Sequence, residues 1–333
     1  MSSVDVIVPC YRYGRFLREC VESVLAQKGV DVRVFIIDDA SPDNTADVGT
    51  ELSKESSKVT FVRHEANKGH IATYNEGIAW ASADFFLLLS ADDYLLPGAL
   101  SRAVLLMGKH SDVSFVFGNA IEVDEQATRH TTDAIPCRDG DRILAGTEFI
   151  VLSGARNIVP TPTAVVRTGS QKAVGGYRAE LPHAGDMEMW LRLAAHASVG
   201  FVETPQAVYR RHASNMSLRY TAQHWLPDLE QRKVAFDYFL QIYGNAAPDA
   251  QQLRRTLLSL LAREAVGHAS AAFNDGERDA SDQLAAFASR ISPEITWSLP
   301  WVKLAAKRVM GLSIWRALQR AQGSPVRIGS GAH

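Results

Sequence analysis

Cysteine is nearly missing from this chain. Three occur in 333 residues: Cys10, Cys20 and Cys137. They show no metal-ligand spacing and no paired pattern, which argues against a disulfide framework and for a reducing compartment. Cys10 and Cys20 are expected to pack rather than react. An excess of either charge is also missing. The 35 Lys and Arg against 37 Asp and Glu leave a formal net charge of -2, which gives no global reason to expect a nucleic-acid partner. No apolar run approaches the ~20 residues of a membrane span. The N-terminus enters "VDVIVPCY" at once, without a basic n-region or an apolar h-region. No signal peptide is therefore expected, and the chain reads as cytoplasmic. Two glycine-rich phosphate loops are absent as well. Without G-x-G-x-x-G after the first strand a dinucleotide dehydrogenase is disfavoured, and without G-x-x-x-x-G-K-[ST] so is a P-loop NTPase. There is no internal repeat and no long low-complexity segment.

What is present is alternation. "VDVIVP" and "VRVFIIDD" are short β-branched runs that read as buried strands. Between them Phe16, Leu17, Cys20, Val21, Val24 and Leu25 recur at helical spacing. This strand–helix–strand unit favours a parallel pair. "SPDNTADVGTEL" starts a helix, "VTFVRH" is a third strand, "ATYNEGIAWA" a helix and "DFFLLLSA" a fourth strand. A helix follows Pro97, then the strand "VSFVFGNAIEV". The first 120 residues or so therefore read as a doubly wound α/β fold. After about Glu125 the chain turns polar, and "DEQATRHTTDAIPCRDGDR" reads as an irregular loop. "PTPTAVVR" and "GFVETPQAVYRRH" read as strands, "GDMEMWLRLAAHA" as a helix, and the chain from about His224 as almost wholly helical.

In open α/β sheets ligands bind beyond the carboxyl ends of the strands. Strand one ends in Pro9-Cys10-Tyr11-Arg12, strand two in Asp38-Asp39-Ala40-Ser41, and strand four in Ser90-Ala91-Asp92-Asp93. These ends should meet in one cleft. Two adjacent carboxylates after an apolar run are costly to bury unless a cation joins them. A divalent ion on carboxylates can bridge a diphosphate, and Mg²⁺ or Mn²⁺ suits oxygen ligands.

Six segments in order extend this. "VDVIVPCYRYGRFLRECVESVLAQ", "VFIIDDASPDNT", "NKGHIATYNEGIAWASADFFLLLSADDYLLP", "TPTAVVRTGSQKAVGGYR", "GDMEMWLRLA" and "VYRRHASNMS" resemble the family 2 glycosyltransferases, over roughly residues 3–217. The resemblance implies a GT-A-type doubly wound mixed sheet flanked by helices, with a helical C-terminal extension. It implies a catalytic domain over 1–220, nucleotide-binding over 1–120 and acceptor-binding over 121–220, followed by helices over 221–333. It further implies an inverting transfer of a hexosyl group from a nucleoside-diphosphate sugar, UDP- or dTDP-linked. The acceptor would be a glycan or a lipid-linked acceptor in cell-surface polysaccharide synthesis. A non-catalytic sugar-nucleotide-binding module is the second reading. A sugar-nucleotide pyrophosphorylase is the third, and it would want a glycine-rich basic loop that "PCYRYGRF" is not.

The same resemblance assigns roles. Asp93 would sit on Mn²⁺ or Mg²⁺, with Asp92 near the ribose or the metal's water shell. Asp39 would bond the nucleobase, typically uracil, with Asp38 supporting its loop. Pro9, Tyr11 and Arg12 would border the nucleotide. Arg12 stands where the family usually has Asn, and it is either a phosphate contact or an ordinary surface arginine. Asn67 and Lys68 precede a helix N-terminus suited to an anionic or ribose-bearing ligand, and Asn75 matches a recurring family Asn. Asp186 would be the general base. Gly185 replaces the acid that usually precedes it, and Glu188 is the rival base. His212 would ligate the metal or touch phosphate, with Arg210 and Arg211 adding charge. Trp190 and Arg192 would brace the base helix, or Trp190 would wall the acceptor.

"WVKLAAKRVMGLSIWRALQRA", residues 301–321, carries no acid and mixes Trp, Leu, Ile and Val with Lys and Arg. It is expected to form a basic amphipathic helix. Such a helix either packs on the catalytic domain or on a second copy in a homodimer, or lies on an anionic membrane.

Overall fold

Alternate residues Val4, Val6 and Val8 are fully buried, and so is Ile7 on the opposite face. A strand apolar on both faces belongs in the middle of a covered sheet. That strand, β1 (Ser3–Cys10), pairs in parallel with β2 (Asp31–Asp38) on one side and β4 (Phe85–Leu88) on the other. β3 (Val59–Arg63) extends the sheet beyond β2. The computed structural model describes residues 1–132, 134–135, 140–213, 215–216, 218–221, 225–243 and 249–321. Cys137, the end of the C-terminal segment and part of the polar loop lie outside the described residues. The chain divides into two compact units, Met1–Asn215 and Met216–His333.

The first unit is a mixed α/β sheet flanked by helices. Its remaining strands are β5 (Tyr94–Leu95), β6 (Val113–Val123), β7 (Arg129–Thr131), β8 (Arg142–Leu144), β9 (Val165–Arg167) and β10 (Ser198–Arg210). The order is β3-β2-β1-β4-β9-β6-β10-β5, with β7 on β6 and β8 on β10. β9 is antiparallel to both β4 and β6. The segment read as the strand "PTPTAVVR" is thus a 3₁₀ turn at Thr161–Thr163 followed by only three strand residues. The segment read as an irregular loop after Glu125 holds β7 and runs into β8, and the two strands pair with β6 and β10. The helices are α1 (Gly14–Leu25), α2 (Thr45–Glu55), α3 (His70–Trp80), α4 (Ala99–Lys109), α5 (Gly146–Ser153), α6 (Thr168–Val174) and α7 (Gly185–Ala194).

α1 shows why the unit holds together. Leu17, Cys20, Val21 and Val24 form one buried stripe on the sheet. Each large side chain there contributes roughly 1.5–3 kcal/mol through burial. Burial also pushes the Cys10 thiol up to about 12 and Cys20 well above its ordinary value, so neither is a reactive thiolate. At the far end of the sheet Asp5, fully buried, takes a two-pronged contact from Arg33 at 2.8 and 2.7 Å. It also accepts the Ser82 and Ala83 amides at 2.7 and 2.9 Å, locking β1, β2 and the entry to β4 in register.

The second unit is helical among its described residues: α8 (Leu218–Thr221), α9 (Leu226–Tyr243), α10 (Ala250–Asp275), α11 (Arg278–Ile291), α12 (Leu299–Met310) and α13 (Leu312–Ala321). Small buried residues on α10 (Ala262, Ala265, Ala269 and Ala272) offer a close-packing face. The single helix expected over 301–321 is two helices. Gly311 separates them at φ 80, a left-handed conformation that stops α12. Lys307 is buried and donates to Ser270 at 2.6 Å and Asn274 at 3.2 Å. The opposite face of α12 is uncovered. Leu299, Val302 and Val309 are 66, 52 and 89% exposed, and Trp297 just before them is 88% exposed. No described helix is long and apolar enough to cross a membrane.

Candidate active site

The ends of β1, β2 and β4 come together as the sheet order requires. The Asp39 amide donates to the Cys10 carbonyl at 2.9 Å, and the Arg12 amide to the Ser41 hydroxyl at 3.0 Å. Both strand ends are strained. Arg12 (φ 66) and Ala40 (φ 58) are left-handed without being glycine, at a cost of about 1–2 kcal/mol each. Asn tolerates that conformation best among side-chain residues, so position 12 is set by its backbone. The Arg12 and Tyr11 side chains are exposed, and Pro9 is partly so.

Asp39 is a hub. Its carboxylate accepts the Lys68 amide at 2.7 Å and the Gly69 amide at 2.9 Å. His64 Nδ1 lies 2.7 Å from the same carboxylate, and Asn67 Nδ2 donates to the Asp39 carbonyl at 3.1 Å. Gly69, at φ 85, is the turn that permits this wrap before α3. Asp38 supports the neighbouring loop by accepting the Ser41 amide at 2.8 Å. His64 went unnoticed in the sequence. It directly follows β3, so the strand-end rule that picked out the other three clusters also reaches it.

Asp92 and Asp93 are 4% and 1% exposed. Burial, and then the neighbouring Asp92 charge, hold the Asp93 carboxyl well above the ordinary range, while Arg210 and Arg211 oppose the shift. Asp93 accepts the Arg210 amide at 2.9 Å, and Arg210 Nη1 donates to the Asp92 carbonyl at 2.6 Å. His212 Nε2 lies 3.1 Å from Asp92 Oδ2, its ring held edge-on by Tyr13 and stacked on Phe16. Arg211 is drawn off to Glu122 at 2.9 Å. Carboxylate oxygens and an imidazole nitrogen are a donor set that fits a hard divalent cation. Among the described residues no three His, Cys, Asp or Glu side chains form a ready cage. Such an ion would have to complete its shell with ligand or water oxygens, as Mg²⁺ commonly does.

Asp186 lies at the start of α7. The Thr161 hydroxyl donates to it at 2.8 Å. Burial raises its carboxyl above the ordinary value, opposed by hydrogen bonds from Thr161 and Tyr177 and by the nearby His70 and His183. His70 is close enough to respond to both Asp186 and Asp39, and Tyr74 to both Asp186 and Asp92. The rings of His70, Tyr74 and Tyr177 meet edge-on in sequence at 5.5 and 5.4 Å, linking the three clusters. Tyr177 is held by Asn75, which accepts its amide at 2.7 Å and donates to its carbonyl at 2.9 Å.

Glu188 does not face this cleft as a free carboxylate. It is fully buried, 2.8 Å from Arg192 and 3.2 Å from Arg178. Arg192 also donates to the Val174 and Gly176 carbonyls at 2.6 and 2.9 Å, tying α7 to the loop that carries Tyr177. Trp190 is buried against Phe115, ring centres 5.2 Å apart.

A GT-A-like sheet with acidic clusters at its strand ends defines a class of nucleotide-sugar enzymes, and the comparisons narrow it. The model of Glycosyl transferase family 2 matches residues 5–173, half of the chain, and the chain belongs to that family. It is therefore a glycosyltransferase. An uncharacterised Mycobacterium tuberculosis protein is 28% identical over 66% of this chain and 70% of its own length. A GalNAc(5)-diNAcBac-PP-undecaprenol beta-1,3-glucosyltransferase of Campylobacter jejuni is 31% identical over 36% of this chain and 39% of its own. Among solved structures, S. aureus TarS in complex with UDP-GlcNAc aligns with a TM-score of 0.58 at 14% identity, covering 89% of this chain and 92% of TarS. The Pyrobaculum calidifontis mannosyltransferase PcManGT, in complex with GDP-Man and Mn²⁺, gives 0.53 at 17%, covering 93% and 86%. At these identities the structural likeness establishes the fold.

Proposed function

We propose that the chain is a cation-dependent inverting glycosyltransferase that moves a sugar from a nucleoside-diphosphate donor to a hydroxyl acceptor. The observation that carries this reading is Asp186. Its buried carboxylate has a raised proton affinity and is steadied by two hydroxyl donors, beside aromatic rings that lead to the Asp39 and Asp92–Asp93 clusters. The acceptor oxygen passes its proton to Asp186 and bonds to the anomeric carbon. The bond from that carbon to the diphosphate oxygen breaks, and its electron pair leaves with the nucleoside diphosphate. The acceptor approaches opposite the leaving group, so one displacement inverts the centre. Glu188 is sequestered by two arginines, which favours one base at this face and no second carboxylate nucleophile.

Asp39 is the acceptor for the base, with Pro9, Tyr11 and Arg12 along its border and Asn67 and Lys68 closing its loop. Asp93, with Asp92 and His212, would hold Mn²⁺ or Mg²⁺. When bound, the ion supplies charge neutralisation for the departing diphosphate. UDP or dTDP is the favoured nucleotide. Purified enzyme should gain thermal stability with Mn²⁺ plus one of the UDP-, dTDP- or GDP-sugars. No gain with any of them, together with no donor turnover, refutes the reading.

The acceptor is a lipid-linked glycan presented at a membrane surface. The outer face of α12 favours this. Leu299, Val302, Ala306 and Val309 follow helical spacing and are exposed, beside the exposed Trp297 and Lys303. No acid occurs after Glu294. An apolar stripe with a tryptophan and only basic charges matches an anionic lipid interface.

A further inference from the structure

We propose that His64 is a positioning residue whose imidazolium donates from both ring nitrogens, to Asp39 and to Glu76, and so fixes the Asp39 carboxylate for a nucleobase N–H. The proposal deepens the reading of Asp39 as the base acceptor and rests on it.

Nδ1 lies 2.7 Å from Asp39 Oδ1, and Nε2 lies 3.0 Å from Glu76 Oε2. The imidazole is 2% exposed, so the two carboxylates are its polar surroundings. A neutral imidazole has one N–H and one bare nitrogen. Its bare nitrogen would set a lone pair against a carboxylate lone pair at one of these two contacts. Two protons are needed: either both ring nitrogens carry one, or one carboxyl is an acid. Asp39 does not suit the acid form, because both its oxygens already accept amides, from Lys68 and Gly69. Glu76 does not suit it either, because the same oxygen faces the Lys68 ammonium at 3.3 Å. The second proton therefore belongs on the ring.

Charged groups reach this triad from several elements. Asp39 comes from the end of β2, Glu76 from α3 and Lys68 from the loop between β3 and α3. His70, the first residue of α3, responds to the Asp39 charge. Arg63, next to His64, turns away to the Ser41 carbonyl at 3.0 Å and towards Asp38. With three donors in place, the acceptor capacity left on Asp39 is on Oδ2. A base that docks its N3 there donates a ring N–H if it is uracil or thymine, whereas cytosine would set a bare N3 against the carboxylate.

Nitrogen NMR of the full chain labelled at histidine, without ligand, reads the protonation directly. At neutral pH His64, assigned by the signal lost in His64→Asn, should show protons on both ring nitrogens. One protonated and one bare nitrogen overturns the proposal while leaving the base pocket intact. Calorimetry with UDP and CDP in the presence of Mn²⁺ reads the consequence. Wild type should prefer UDP. His64→Ala should weaken UDP about tenfold, the loss of one charge-assisted bond. His64→Asn keeps an N–H where Nδ1 stood, so it should recover most of the affinity. The donor KM should carry the change and kcat little of it. UDP affinity unchanged in both folded variants overturns the proposal. A wild type that binds no nucleoside diphosphate defeats the base-pocket reading, and this proposal with it.

Discussion

Replacing Glu188 by Gln separates a brace from a base. Gln keeps the volume and one acceptor oxygen and removes the charge. In the folded chain that charge is the counter-ion of Arg192, the two side chains being 0% and 6% exposed and 2.8 Å apart. Arg192 would keep the Val174 and Gly176 carbonyls and lose the carboxylate. Arg178, 28% exposed, can turn to water. The loss is therefore dominated by one buried cation left without its partner, for which about 3–5 kcal/mol is typical. The acceptor that Gln retains places this change near the lower end, about 3 kcal/mol. For a unit of this size that is a fall of about 6–12 °C in melting temperature. Scanning calorimetry of the full chain, with and without the substitution, measures it. Turnover of the protein that remains folded, with the best donor, should stay within about tenfold of wild type, because Glu188 acts through Tyr177's loop and not on the acceptor. A melting temperature within a degree of wild type would refute the buried-pair argument. A folded Glu188→Gln as inactive as Asp186→Asn would refute the choice of base.

Asp186→Asn should fold and lose about 10²–10⁴ in kcat, measured in a transfer assay. Its carboxyl is held above the unfolded value, so its ionisation subtracts from stability at neutral pH, and the deficit closes as pH falls through the raised value. The variant should therefore melt higher than wild type at neutral pH and show no such gain in acid. Asp93→Asn follows the same sign: without cation it should be the more heat-stable protein near pH 7, yet it should gain nothing from Mn²⁺ plus nucleotide. A variant that kept the cation-dependent shift would remove Asp93 from the cation site. Val309→Glu with Val302→Glu should abolish cosedimentation with anionic liposomes while leaving turnover of a soluble acceptor unchanged. Equal pelleting of variant and wild type would reject the lipid surface for α12.

Much of the fold was legible because β-branched runs buried on both faces, such as Val4–Val8 and Val32–Ile37, announce themselves without partners. β9 was legible as extended chain but not in its place, because three residues carry no periodicity and their position comes from β4 and β6. α5 follows the same logic in reverse: "GTEFIVLS" is apolar enough for a strand and becomes a helix in context. The break at Gly311 stood in the sequence, but the acid-free composition on both sides suggested one continuous helix. In the site, Asp39, Asp92 and Asp93 stood out as polar residues closing apolar runs. Asn75 could not show its partner, since Tyr177 lies 102 residues further on. The same holds for Glu188. Its spacing two positions from Asp186 already points it to a different helical face, and the structure adds the arginines that enclose it there.

The position of β9 also sets an order of assembly. β4 is complete once residue 88 has been made, yet its second neighbour is formed by Val165–Arg167. During synthesis, then, some eighty residues emerge while the edge of β4 stays unpaired. Its apolar run Phe85–Leu88 is the kind of strand edge that recruits other chains when left open. The nascent protein is most vulnerable to aggregation in that interval. Fragments that stop between β4 and β9 should be insoluble, however complete their strand–helix alternation looks.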